Sequence, residues 1–400
     1  MTRLTVDDVY QHSYGVCFKT GPPGVVGAET EWLVVDPRNP GAHVALDRLR
    51  GLMDAAGPLP AGSLVTYEPG GQLELSSAPQ AGVAALHRAL SLDLAFVRDA
   101  LGDLALVGQG VDPVRAPFLQ TDDQRYRCMS TYFEAHSKEG GLPMMCGTAS
   151  VQVCVDIGAD PADAARRWRL AHSLGPILIA AFANSPLQRG RRTGLKSTRQ
   201  AIWNALDPGR TTAPIGDDPA EAWARYALDA KVMMRRTSSN GGWLADPGMT
   251  FREWVATGEP TSEDLELHLS TLFPPVRPRG WYELRMIDAL PEPYWPVPVA
   301  VVTALLDDPV ASQLAEEAAA PVAGRQMEAA RDALADRELA RAARRCFAAA
   351  RDALPRLGAE NLLPVVDDYY FRYIERGRCP ADDLSLMPAT PAEEDFSWHH

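Results

Sequence analysis

The chain has 400 residues, 46% of them hydrophobic, enough for one large domain or two ordinary ones with a substantial core. Asp and Glu number 52 against 39 Lys and Arg, a formal net charge of -13, and no long basic block offsets that field. Such a surface repels nucleic acid and anionic membrane, so neither is an expected partner. The six cysteines (Cys17, Cys128, Cys146, Cys154, Cys346 and Cys379) include no C-x-x-C pair and no signal peptide precedes them, which is the usage of a reduced cytoplasm.

Taken in chain order, "GAETEWLVV" (27–35) opens the pattern as a half-buried strand, with Glu29 and Glu31 on the same face as Leu33 and Val35. "VTYEPGGQLELSS" (65–77) repeats the alternation: Thr66, Glu68, Gln72, Glu74 and Ser76 fall at even positions, and "PGG" supplies a turn or bulge. "GVAALHRALSLDLAFVRDALGDL" (82–104) has helical spacing. A long Pro/Gly-rich connection, 109–147, leads to a third strand, "TASVQVCVD", with Thr148, Ser150, Gln152, Cys154 and Asp156 on one side and valines on the other. The stretch 159–184 reads as helix, with Asp160 as N-cap and Pro161 at the first helical position. Its apolar run "GPILIAAFA" falls far short of the ~20 residues of a membrane span. A second long connection, 184–222, contains "RGRRTGLKSTR". The fourth strand, "WYELRMID", puts Glu283 and Arg285 on one face and Leu284 and Met286 on the other.

From residue 296 the texture becomes Ala-rich helix, broken at Pro321 and Gly324, and residues 379–400 have the composition of a mobile tail. The expected organisation is therefore an antiparallel-sheet core with flanking helices over 1–295, a helical region over 296–378 packed on the same domain, and the tail over 379–400. Strands that come singly or in hairpins predict an α+β fold with an antiparallel sheet and helices on one face. Long loops in a compact domain usually bind something, so 109–147 and 184–222 are candidate site walls.

If the four strands neighbour one another, Glu29, Glu31, Glu68, Glu74 and Glu283 converge on one surface. Like charges that close drive one another to protonate, and a buried unpaired carboxylate costs several kcal/mol. A divalent cation removes the difficulty, and oxygen donors without His or Cys clusters point to Mg²⁺ or Mn²⁺. Magnesium usually completes its octahedron with water and substrate phosphates, so the cluster suggests a nucleotide. Each E-x-E alone reads as the solvated face of an edge strand; the agreement of four segments favours convergence. In the basic loop, Lys196 and Arg199 accompany Arg189, Arg191 and Arg192, and such groups either fork onto phosphates and carboxylates or are simply solvated. No P-loop or dinucleotide fingerprint is present. His136 and His172 read as structural, Cys154 among carboxylates has its thiolate disfavoured, and no G-x-S-x-G supports a triad.

"GAETEW", "YEPGGQLELSSAP", "RYRCMSTYF", "TASVQVCVD", "ANSPLQRGRRTGLKSTRQAIWNALDPGRT", "MTFREWVATGE" and "WYELRMIDALP" resemble, in order and spacing, the plant-type glutamate-cysteine ligases, and more narrowly the actinobacterial members of the ergothioneine pathway. The resemblance covers residues 20 to 300. It implies a saddle-shaped antiparallel sheet related to that of glutamine synthetase, with the active site on its concave face. It also implies ATP-dependent joining of L-glutamate to L-cysteine through γ-glutamyl phosphate. By the same resemblance Glu29, Glu31, Glu68, Glu74 and Glu283 are magnesium ligands, and Gln152 stands where relatives often place a histidine ligand. The resemblance further implies that Arg285 meets ATP phosphate and, with Arg199, neutralises charge during transfer. It also implies that Arg199 and Trp203 hold the amino-acid substrates, with Arg125, Tyr132 and Thr148 in the same pocket. Two positions depart from the plant pattern: Gly147 replaces Arg, and Cys154 replaces Asn. An amide ligase using another amine, and a non-catalytic sensor of nucleotide or amino acid, are the alternative readings.

Overall fold

A computed structural model of the chain describes residues 3–137, 141–236, 242–245 and 248–384. Eight strands form its main sheet: β1 (Val25–Val35), β2 (Leu64–Tyr67), β3 (Leu73–Ser76), β4 (Gln80–Ala81), β5 (Ala105–Val107), β6 (Ser150–Asp156), β7 (Val276–Pro278) and β8 (Trp281–Asp288). The order across the sheet is β7-β8-β6-β1-β3-β2, with β4 and β5 also pairing with β1. Every pairing is antiparallel. This is the α+β class expected from the strand spacing.

Register converts the alternation in the sequence into two unlike faces. Val26, Ala28, Trp32, Val34, Leu73, Leu75, Val151, Val153, Val155, Tyr282 and Leu284 are buried in one hydrophobic core. Helices Val83–Leu101, Pro161–Ser173, Gly175–Phe182 and Pro296–Asp307 contribute to the same core. The apolar stretch predicted as one helix over 159–184 is two, parted at Leu174, because Pro176 in the first turn of the second has no N–H to continue the first. Asp160 caps the first as expected, accepting from the backbone N–H groups of Ala162 and Asp163. Among the described residues no single helix is long and apolar enough to cross a membrane.

The Ala-rich region supplies helices Pro309–Ala319, Gln326–Asp332, Arg337–Ala353 and Leu363–Tyr369, whose small side chains pack into that core. The tail expected from residue 379 does not include residues 379–384. Cys379 is fully buried, Pro380–Leu384 is a helix, and Lys196 Nζ lies 2.6 Å from Asp382 Oδ1. Residues 385–400 lie outside the described residues.

Candidate active site

On the sheet face opposite the core, register places polar side chains in three rows. Glu31 pairs with Glu74, which pairs in turn with Thr66. Glu29 pairs with Ser76 on one side and Gln152 on the other. Gly27, Cys154, Glu283 and Arg277 form the third row. Directly opposed residues of antiparallel strands share a face, so the alternation predicted from sequence brings the carboxylates together.

Glu68 joins them by a different device. It stands just after β2, where its N–H donates to Gln72 O and its own carbonyl accepts from Gly71 N. Gly71 adopts a φ of 88°, and a Cβ at Gly70 would lie 2.3 Å from the carbonyl oxygen of Cys146. Only glycines allow the turn to press that closely. Glu31, Glu68 and Glu74 then offer oxygens all within 4.8 Å of one another.

These acids line a cavity of about 280 Å³ together with Glu29, Gln152, Thr148, Arg277, Arg279 and Arg285. Its far walls come from the two long connections and a third. Helix Gln124–His136 contributes Arg125, Tyr126 and Met129, helix Leu142–Gly147 contributes Met144 and Met145, and helix Thr198–Asn204 contributes Trp203, with Ser270 and Phe273 between. Thr148 donates to Met144 O, and Arg125 Nη2 lies 3.1 Å from Ser270 Oγ.

Electrostatically the site is divided. Burial, with neighbouring carboxylates, raises Glu29 to about 8 and Glu31 to about 7, and lifts Glu68 well above the ordinary range. Glu283 is the opposite case. Burial alone would raise it, but Arg277, Arg285 and Arg279 hold it at about 2. Arg277 Nη2 is 2.8 Å from its Oε1, Arg279 Nη1 is 3.6 Å from Oε2, and Arg285 donates to Oε1 as well. The thiol of Cys154 is pushed well above its usual range by burial, Glu283 and Glu29, as expected for a cysteine among carboxylates.

An undercompensated carboxylate cluster suits a hard divalent cation, and among the described residues this group consists of carboxylates alone. Glu31, Glu68 and Glu74 fit, and Glu29 lines the same cavity outside that group. Of the other two expected ligands, Glu283 is paired with three guanidiniums. Gln152 is committed on both sides, donating to Glu31 at 2.9 Å and accepting from Arg285.

Other expected site residues also sit elsewhere. Tyr132 is fully buried, stacked on His136 with the Arg210 guanidinium 4.5 Å from its ring centre, and donates to Asp207. It supports the wall without lining the cavity. Lys196 is paired to Asp382 and does not line it either. Arg199 lines an adjoining hollow of about 40 Å³ that shares Trp203, Phe273 and Arg285 with the main cavity. Two guanidiniums, those of Arg199 and Arg285, each lie 5.8 Å from the Trp203 ring centre.

Sequence reasoning missed Arg277 and Arg279. They sit in "PPVRPRG", which reads as a Pro/Gly loop, yet 277, 279, 283 and 285 share parity, and that was the available signal. Both arginines also line a second hollow of about 300 Å³ with Val16, Trp223, Leu269 and Trp281. The three methionines were missed because nothing in a helical pattern marks which face meets a cavity.

Comparison with known proteins gives the same frame. The chain is 43% identical over 383 residues to the glutamate–cysteine ligase EgtA of Mycobacterium tuberculosis, covering 92% of this chain and 87% of that protein. It is 42% identical to EgtA of Mycolicibacterium smegmatis, covering 91% and 87%. The chloroplastic glutamate–cysteine ligase of Brassica juncea is 36% identical, over 57% of this chain and 46% of that one. A crystal structure of Francisella tularensis glutamate–cysteine ligase in complex with AMP shares the fold, with a TM-score of 0.55 at 12% identity, over 92% of this chain and 85% of that chain. The model of glutamate–cysteine ligase family 2 matches residues 25–397, and the chain belongs to that family of ligases.

Proposed function

We propose that the protein joins the γ-carboxylate of L-glutamate to the amine of L-cysteine at the expense of ATP, with Mg²⁺ (or Mn²⁺) held by Glu29, Glu31, Glu68 and Glu74. The observation that carries this reading is the opposition, across one cavity, of an undercompensated carboxylate cluster and the guanidiniums of Arg277, Arg279 and Arg285. Bound there, the cation would screen phosphate charge and orient the transferring group.

The reaction then needs positioning and charge neutralisation more than covalent help. An oxygen of the glutamate γ-carboxylate attacks the terminal phosphorus of ATP, and the bond to the ADP oxygen breaks, giving γ-glutamyl phosphate. The cysteine amine attacks the acyl carbon, phosphate leaves, and the nitrogen loses a proton. Arg285, backed by Glu283 and Gln152, is the side chain best poised against the migrating phosphoryl group. Arg277 and Arg279 lead from the cavity into the hollow walled by Trp281 and Trp223, whose apolar character suits a nucleotide base. Arg125, Thr148 and the sulfur-rich wall of Met129, Met144 and Met145 border the remaining space, where a thiol-bearing acceptor would fit. The EgtA relatives point to ergothioneine synthesis as the destination of the product.

The test is product formation with ATP, Mg²⁺, glutamate and a panel of amines. Cysteine-dependent release of ADP with mass-spectrometric detection of γ-glutamylcysteine is expected. Faster turnover of another amine would replace the acceptor, and no nucleotide turnover with any amine would favour a sensor.

A further inference from the structure

We propose that Asp288 is a positioning residue, whose buried carboxylate fixes the loop 184–199 and so presents the Arg199 guanidinium at the wall of the site. This deepens the ligase reading above and, for its kinetic part, rests on it.

Simple alternation would put Asp288 with Leu284 and Met286 in the core. A bulge intervenes: Leu284 pairs with Val153, but Ile287 pairs with Val151, so Arg285 and Met286 together oppose Gln152. Beyond it the parity of β8 is reversed. Asp288 pairs with Ser150 and lies on the polar side.

There it is only 2% exposed. Its Oδ2 accepts from Ser185 Oγ at 2.7 Å and Asn184 N at 2.9 Å, and its Oδ1 accepts from Ser197 Oγ at 2.9 Å. Both serines continue the chain of contacts. Ser185 Oγ accepts from the Arg199 backbone N–H at 3.2 Å, and Ser197 Oγ caps the same helix through Gln200 N at 3.2 Å. A Cβ at Gly110 would stand 2.4 Å from the Asp288 Cγ, so the Gly110 backbone packs directly against the carboxylate.

Arg199 is 3% exposed and, among the described residues, has no carboxylate within 4 Å. Its Nη2 donates to Arg285 O at 2.9 Å, while Nε is buried without a partner. Asp288 and Glu31 are the negative charges that favour its charged state against burial. Because Asp288 spends its lone pairs on hydroxyl and amide donors, it stabilises the cation from a distance and leaves an N–H of Arg199 for an anionic group of the substrate.

The test is a double-mutant cycle between Asp288→Asn and Arg199→Lys, with Ser185→Ala as the milder cut in the same chain of contacts should Asp288→Asn fail to fold. The expected loss in kcat/KM for Asp288→Asn is about 30-fold in the wild-type background and under about twofold beside Arg199→Lys. Equal losses in both backgrounds would overturn the proposal. A second readout does not need turnover: the Arg199 Nε–H resonance of ¹⁵N-arginine-labelled protein, assigned by its absence from Arg199→Lys, should broaden or shift in Asp288→Asn and Ser185→Ala. An unmoved resonance overturns the inference even if the wild-type protein proves not to be a ligase; absent turnover with a moved resonance refutes only the ligase reading.

Discussion

Replacing Glu31 by Gln should make the metal-free protein more stable and the metal-loaded protein less so. Glu31 is buried beside Glu74 and titrates near 7 in the fold, against 4.5 when free. A carboxyl whose folded pKa is raised costs nothing below its unfolded value and progressively more as pH climbs between the two. Above pH 7 that displacement corresponds to roughly 3 kcal/mol at most. Neighbouring acids share the same protons, so a gain of about 2 kcal/mol on neutralising one of them is the reasonable expectation. For a chain this long, with an unfolding entropy near 2.1 cal/mol/K per residue, that is a rise of roughly 2–3 °C in Tm. Melting of both proteins in EDTA at about pH 8 and about pH 5 measures it, and the difference should shrink at the lower pH. Adding millimolar Mg²⁺ should then reverse the order, because ligand binding to the native state stabilises the wild type more than a variant lacking one oxygen anion. If Glu31→Gln melts below wild type in EDTA at the higher pH, or if Mg²⁺ lifts both equally, the carboxylates are not an undercompensated cation site.

Three further outcomes follow from single contacts. His172, held to about 4 by burial, stays neutral in the fold while the unfolded chain takes a proton below 6.5. Stability should therefore fall by about 2 kcal/mol between pH 7 and pH 5, and His172→Gln should flatten that part of the urea-unfolding pH profile; an unchanged slope would assign the acid sensitivity elsewhere. Gly70→Ala drives a methyl group into the Cys146 carbonyl and should cost about 2–4 kcal/mol while weakening Mg²⁺ binding by displacing Glu68; equal melting temperatures would show that the turn can yield. Trp281→Ala, at the mouth of the apolar hollow, should raise the KM for ATP about tenfold and leave that for glutamate alone, as loss of a base-stacking surface would; a rise in the glutamate KM instead would move the base out of that hollow.

The sequence by itself determined the sheet face. Strict alternation in β1, β3, β6 and the first half of β8 fixes which side chains are polar together, because successive residues on a strand must point to opposite faces, and so Glu29, Glu31, Glu74 and Glu283 were legible as a set. Tertiary structure alone decided which of those acids are free. Arg277 and Arg279 arrive from a hairpin that reads as loop and neutralise Glu283, whereas among the described residues no cation reaches Glu31 and Glu68 closely enough to do the same. It also decided that Lys196 turns toward Asp382 and that Tyr132 faces inward, since a loop or helix pattern carries no record of what packs against each side. The bulge in β8 is the clearest case: one extra residue reverses the alternation and carries Asp288 from the apolar layer to the polar one, and only the pairing partner across the ladder reveals where that happens.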